Sequence, residues 1–118
     1  MPPTTSYRRG EIVLVPFPFT DLSSAKQRPA LIVSPDGWNA SQSDVLLIAL
    51  TSQIPAPLPP NDILLSLDDL RTGGLPKATL ARPTKLITIH QALIRRGLGR
   101  ISEGTLQSGL SSLRSFLS

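Results

Sequence analysis

Two arginines in this sequence stand immediately before proline: Arg28 in Lys26-Gln27-Arg28-Pro29 and Arg82 in Ala81-Arg82-Pro83-Thr84-Lys85. A residue preceding proline is steered away from helical backbone, so both guanidinium groups sit on extended chain. Held that way, a guanidinium can meet a phosphate with two parallel hydrogen bonds; alternatively, each is an ordinary surface arginine. Between them lies Thr51-Ser52-Gln53, directly after the apolar run Val45–Leu50. Hydroxyl and amide groups at the mouth of a buried strand can donate to phosphate oxygens or read a base edge. They can equally well just satisfy strand-end backbone groups. Neither hydroxyl has an acid–base partner at a recognisable spacing, which argues against an acyl-transfer nucleophile.

Other chemistry is thinly represented. The chain has no Cys and a single His, His90. That excludes disulfides, thiolate metal sites, cysteine nucleophiles and any centre needing two imidazoles. No cofactor motif is present. His90 closes a strand-like run and reads as structural. Asp68 and Asp69 are one adjacent acidic pair without further ligands, better suited to helix capping than to a metal. Trp38 and Phe17 can stack on bases but are expected to fill the core or anchor loops.

Charge is segregated along the 118 residues. Residues 1–28 balance to +2, residues 29–70 to −5 with no Lys or Arg, and residues 71–118 to +7. Such asymmetry points to a surface for a polyanion, provided the basic groups converge in the fold. Nine of the twelve basic residues are Arg, which favours planar, bidentate phosphate contacts. The length suits one domain, residues 1–118, with 1–8 expected to be a flexible lead-in. The longest apolar run is six residues, far short of a membrane span. Residues 1–10 lack the apolar region of a secretory signal, so the expected location is the cytoplasm, with no membrane partner.

Twelve Pro and eight Gly divide the chain into short pieces. Strand-like runs are expected at Glu11–Val15, Ala30–Ser34, Asp44–Leu50, Asp62–Leu67, Ala78–Ala81 and Lys85–His90. Their spacing predicts a mainly β (α+β) fold, a small barrel or sandwich, with Pro55–Pro60 as a stiff extended connector. A short helix is expected around Asp68–Arg71. A longer one is expected from a Ser102 cap, with Glu103 at its positive end and Leu106, Leu110, Leu113 and Leu117 forming one apolar stripe.

Five pieces in order resemble the MazF/PemK (Kid-like) toxins: Arg9–Val15, Gln27–Ser34, Leu50–Gln53, Gly74–Lys77 and Lys85–Ile89. The resemblance covers about residues 9–90, and the terminal amphipathic helix fits the rest. It implies a small SH3-like, partly open β-barrel with short helices, forming a homodimer. It also implies a metal-independent endoribonuclease of a toxin–antitoxin pair, with RNA across the dimer groove and a cognate acidic antitoxin competing there. By that resemblance Arg28 and Thr51 are the catalytic residues. Gln53 matches a Gln of the family and Arg82 an Arg used for cleavage in the Kid branch, and Lys26, Gln27, Ser52, Gln53, Arg82 and Thr84 are expected to bind RNA. The pattern departs at two places. Thr84 stands where the Kid branch has an acid, and the loop Leu22–Lys26 lacks the Glu or His of many members. Asp21 is the nearest carboxylate in sequence to Arg28 and a candidate base, or else an Asx-turn residue.

The chemistry implied is attack of a ribose 2′-OH on its own 3′-phosphate. Two rivals share the fold class: a CcdB-like gyrase poison that hydrolyses nothing, and a non-catalytic RNA-binding or regulatory barrel.

Overall fold

The computed structural model describes residues 6–17 and 26–118. Its strands are β1 (Glu11–Phe17), β2 (Lys26–Ile32), β3 (Asp44–Thr51), β4 (Ile63–Leu64), β5 (Leu80–His90) and β6 (Arg96–Arg100). They form one antiparallel sheet in the order β4-β5-β3-β2-β1-β6, curled into a half-barrel. Three α-helices accompany it: α1 (Asp36–Ser41), α2 (Leu67–Thr72) and α3 (Glu103–Leu117).

The curl follows from where the apolar residues fall. Successive side chains of a strand point to opposite faces, and here both faces are covered. Ile12, Leu31, Val33, Ile48 and Leu50 face Leu106 and Leu110 of α3, together with Leu65 and Leu75. The intervening residues Val13, Val15, Ala30, Ile32, Val45, Leu47 and Ala49 join Ile89 and Ile94 on the inner face. A strand buried on both sides reads as a continuous apolar run rather than an alternation, as Val45–Leu50 does.

The C-terminal helix starts where the sequence places it. Ser102 accepts a hydrogen bond from the Thr105 amide at 3.3 Å. Leu106, Leu110 and Leu113 of the stripe are buried, but Leu117 is 66% exposed. The cap of α2 is Ser66, whose hydroxyl accepts from the Asp69 amide at 3.1 Å, and the Asp69 carboxylate instead ties α2 to the start of α3. That buried carboxylate accepts hydrogen bonds from the Ser66 hydroxyl (3.1 Å), the Ser102 amide (2.8 Å) and the Thr105 hydroxyl.

Several boundaries differ from expectation, each for a local reason. Strand β2 begins at Lys26, because β1 runs on to Phe17 and pairs with it, so Arg28 lies inside a strand rather than at its mouth. The two runs expected at Ala78–Ala81 and Lys85–His90 are one strand, β5, interrupted by a bulge. The run expected at Asp62–Leu67 shrinks to Ile63–Leu64. Helix α1 occupies the connection between two expected strands, where no helix is expected, and Asp36 accepts from the Arg9 amide at 2.7 Å.

Strand β6 went unanticipated, since Arg96-Gly97-Leu98-Gly99-Arg100 has no β-branched residue. Its glycines answer to packing: a Cβ on Gly99 would fall 2.1 Å from the Thr72 carbonyl oxygen. Residues 1–5 of the expected lead-in lie outside the described residues. Beyond them, the Tyr7 amide donates to Gln91 Oε1 and Arg8 pairs with Asp36.

Candidate functional site

The inner face of the sheet opens into a cavity of about 510 Å³ where three strands lose their regular pairing. The β2–β3 ladder ends at Ala30 opposite Ala49. On the other side of β3, the register jumps: Ile48 faces Leu86, but Ala49 faces Arg82. Pro83-Thr84-Lys85 are thereby extra residues in β5. Pro83 cannot donate to a ladder, and a bulge is where a sheet accommodates it.

This register sets the side chains of the cavity wall. Arg28 lies two residues before Ala30 and Thr51 two residues after Ala49, so both share the face of that alanine pair. Arg82, opposite Ala49, shares it too. Arg28, Thr51, Gln53, Arg82 and Lys85 line the cavity, with Ala49 among them and Leu50, Ile54 and Pro55 completing the wall. Small side chains at Ala30 and Ala49 leave the space between the arginines open.

Thr51 is oriented by its own loop. The Gln53 amide donates to Thr51 Oγ1 at 3.1 Å. With one oxygen lone pair engaged this way, the hydroxyl proton remains available for donation.

Four expected residues lie elsewhere. Lys26 and Gln27 are exposed at the start of β2, Ser52 is exposed in the loop after β3, and Thr84 is exposed in the bulge; none lines the cavity. Asp21 lies outside the described residues, as does the side chain of Phe17. Trp38 is half-exposed and anchors α1 by donating from Nε1 to the Asp44 carbonyl at 2.9 Å. His90 caps the 3-10 turn Gln91–Leu93, its Nδ1 accepting from the Ala92 amide at 2.9 Å. Of the eight basic residues between 71 and 118, only Arg82 and Lys85 reach the cavity, so the basic groups converge in part.

The family model of PemK-like, MazF-like toxins of type II toxin–antitoxin systems matches residues 8–117. The chain belongs to that family. Three solved structures illustrate the shared fold. An endoribonuclease in complex with its cognate antitoxin from a mycobacterial species is 20% identical, with 95% of each chain covered and a TM-score of 0.75. MazF from Deinococcus radiodurans is 19% identical, covering 96% of this chain and 97% of its own, TM-score 0.76. The MazE–MazF complex of the same organism gives 18% identity, 97% coverage of each chain and a TM-score of 0.75. Curated protein sequences give no match.

Within this MazF-like toxin, sequence reasoning missed two residues of the site. Lys85 ends the Arg82-to-Lys85 stretch and carries a third cation to the cavity. Asp62 is the other: its side chain is fully buried, and Oδ2 lies 2.9 Å from Arg82 Nε. Lys85 closes the Ala81–Lys85 stretch at the start of an expected strand, a nearness to Arg82 that could have flagged it. Asp62 carries no such signal, because its position depends on a two-residue strand. Among the described residues, no group of three or more His, Asp or Glu is placed to hold a metal ion. Three cations with a hydroxyl donor between them can bind a phosphodiester and neutralise charge that develops on it.

Proposed function

We propose that the toxin is an endoribonuclease that cleaves single-stranded RNA at a short preferred sequence, with the Arg28–Thr51–Arg82–Lys85 cavity as its active site. The observation that carries this reading is the convergence of three cations and one oriented hydroxyl around an open cavity at the end of the sheet. Membership of a toxin family, and a fold shared with structures described as endoribonucleases, support it.

In the reaction, the ribose 2′-oxygen bonds to the adjacent phosphorus and the P–O5′ bond breaks. The products are a 2′,3′-cyclic phosphate and a 5′-hydroxyl, the 2′-OH proton passing to solvent and the departing oxygen taking one up from solvent. Negative charge grows on the non-bridging oxygens as the phosphorane forms. Preorganised donors aimed at such charge contribute most when they need not reorganise. Arg28 has that role: an arginine stays protonated, so it stabilises charge and does not abstract the 2′-OH proton. Thr51 donates its hydroxyl to a non-bridging oxygen. Arg82 and Lys85 hold the strand by its phosphates, and Gln53 reads a base edge. Lys26, Gln27, Ser52 and Thr84 contact RNA further along its path.

The toxin acts in the cytoplasm as a homodimer and is restrained by a cognate acidic antitoxin. An apolar hollow of about 450 Å³ beside α3, walled by Trp38, Leu46, Leu110, Leu113 and Leu117, supports a protein partner there. No described helix is long and apolar enough to cross a membrane.

Incubation of purified toxin with a long RNA, with and without EDTA, tests the reading. Cleavage is expected to persist in EDTA and to leave cyclic phosphate and 5′-hydroxyl ends. Complete loss on chelation, restored by magnesium, refutes the metal-independent mechanism. Absence of cleavage under both conditions refutes the nuclease.

A further inference from the structure

The described part of the molecule contains two buried carboxylates of opposite character. Asp69 is saturated with donors from Ser66, Ser102 and Thr105 and joins two helices. Asp62 has a fully buried side chain, yet neither of its oxygens receives a hydrogen bond of good geometry. Its neighbour is Arg82 Nε at 2.9 Å, and that N–H is not aligned on it either. The contact is a close Coulombic pair without a directed hydrogen bond.

Such a pair is a poor device for stability. Taking both charges out of water costs about as much as their attraction returns, and apolar replacements often do as well. Buried polar groups left unsatisfied are uncommon and call for an explanation. Here the partner supplies one, since Arg82 lines the cavity with its side chain 28% exposed.

The chain holds Asp62 in place from both sides. Ile63 and Leu64 pair with Ala81 and Leu80, and one step back along that register Asp62 faces Arg82. Before it, the Asp62 amide donates to the Pro59 carbonyl. Asn61 is locked to α3, its carbonyl accepting from the Ser112 hydroxyl at 2.6 Å. The carboxylate therefore sits on a braced segment and the guanidinium at a cavity wall.

We propose that Asp62 is a positioning residue for RNA cleavage: its carboxylate holds the Arg82 guanidinium at the cavity wall, at the expense of part of the affinity that a free arginine would give for RNA. The proposal deepens, and rests on, the reading of the cavity as an RNA-cleaving site. Because no directed bond has to break, Arg82 can turn onto an incoming phosphate. Because the carboxylate stays close, the guanidinium does not swing out along other phosphates of the strand. Asp62 thus lowers ground-state attraction while keeping a cation where the reacting phosphate must sit. A role in folding alone has no such split between binding and rate.

The test compares wild type, Asp62→Asn, Arg82→Ala and the double variant on a labelled single-stranded RNA. A 2′-O-methyl copy, which has no nucleophile, reports binding alone. Asp62→Asn is expected to slow single-turnover cleavage about tenfold or more. Its affinity for the 2′-O-methyl strand should be equal or tighter. Its log–log salt slope should steepen by up to about 0.7, the increment for one more phosphate contact to a single strand. In the Arg82→Ala background, Asp62→Asn should cause no further loss of rate.

A wild-type rate in Asp62→Asn overturns the proposal, as does a parallel fall in rate and affinity, or a loss additive to that of Arg82→Ala. Should Asp62→Asn not fold, Arg82→Lys, which keeps the charge and loses the Nε edge, serves instead. Weakened cleavage with retained affinity supports the proposal, and a wild-type rate overturns it. Wild type that binds both strands and cleaves neither refutes the nuclease reading alone. In that event an unchanged affinity and slope in Asp62→Asn overturns the hold on Arg82, and a steeper slope supports it.

Discussion

Replacing Thr51 by Val separates the reaction from the fold, because the structure assigns its hydroxyl little to hold up. Thr51 Oγ1 accepts one hydrogen bond, from the Gln53 amide at 3.1 Å, and Gln53 is exposed. After substitution, that amide turns to water. The lost bond has a net value of about 1 kcal/mol at most, a fall of roughly 4 °C in Tm for a domain of this size. If the same hydroxyl donates to the developing phosphorane charge, its removal costs about 10²–10³ in rate, or roughly 3–4 kcal/mol of transition-state stabilisation. The loss in rate must then outrun the loss in stability by a wide margin. Thr51→Ser keeps the donor and should retain most of the activity. Single-turnover cleavage of a labelled RNA beside thermal melts of the three proteins makes the comparison. A Val variant within threefold of wild type refutes the role of the hydroxyl. A Ser variant as slow as Val shows that the threonine methyl, not the donor, matters.

Three further outcomes are expected. Arg28→Ala should lower the cleavage rate by about 10²-fold or more, and Arg28→Lys should recover only part of it, since a lysine cannot present a planar fork; an Arg28→Ala rate near wild type moves the site elsewhere. Asp69→Ala strands the Ser102 amide and should destabilise the fold by about 3 kcal/mol, roughly 10 °C or more in Tm. Burial raises the Asp69 carboxyl, but hydrogen bonds from the Thr105 hydroxyl, the Ser102 amide and the Ser66 hydroxyl outweigh it, leaving the group below the usual carboxylate range. Its stabilisation is therefore present above about pH 4 and is lost as the pH falls through the lower folded value; a gap between wild type and Asp69→Ala that fails to narrow in acid contradicts this. A peptide from the acidic end of the antitoxin should compete with RNA, bind about tenfold or more weakly to Arg28→Ala, and weaken with salt; affinity indifferent to both substitution and salt places the inhibitor elsewhere.

Much of the site was legible because its residues sit at the ends of strongly apolar strands. The length of Val45–Leu50 suits a buried strand better than a helix, which puts Thr51 and Gln53 at its end, and the proline after each arginine marks extended backbone. Residues whose position depends on pairing were beyond reach. Asp62 matters through a strand of two residues, which no local pattern announces. Arg96–Arg100 is a strand through its pairing with β1, and its Gly99 is required by Thr72 and Gly73 at the end of α2, a closeness invisible until α2 is packed against it. Leu117 completes a helical stripe on paper but lies past the last turn that the sheet can cover. Lys26, Gln27, Ser52 and Thr84 adjoin site residues in sequence, and the two-residue period of a strand or the path of a loop carries them away from the cavity.

The position of the cavity follows from the breaks in the sheet. A regular antiparallel sheet has no room for a phosphate, since neighbouring strands lie only about 5 Å apart. Here β3 loses its partner on one side beyond Ala49, and on the other side the β5 register slips by three residues around Pro83. Both interruptions fall at the same alanine. Arg28 and Arg82 flank it on adjoining strands, each carried by backbone that the following proline keeps extended. The proline that limits the ladder is thus adjacent to the arginine that uses the gap. An Arg-Pro pair in a strand weakens the sheet locally and, for the same reason, opens space in front of a cation. Placing one such pair on each side of β3, with alanines between and a threonine at the strand end, brings both guanidinium groups and Lys85 to a cavity where the pairing of the sheet is interrupted.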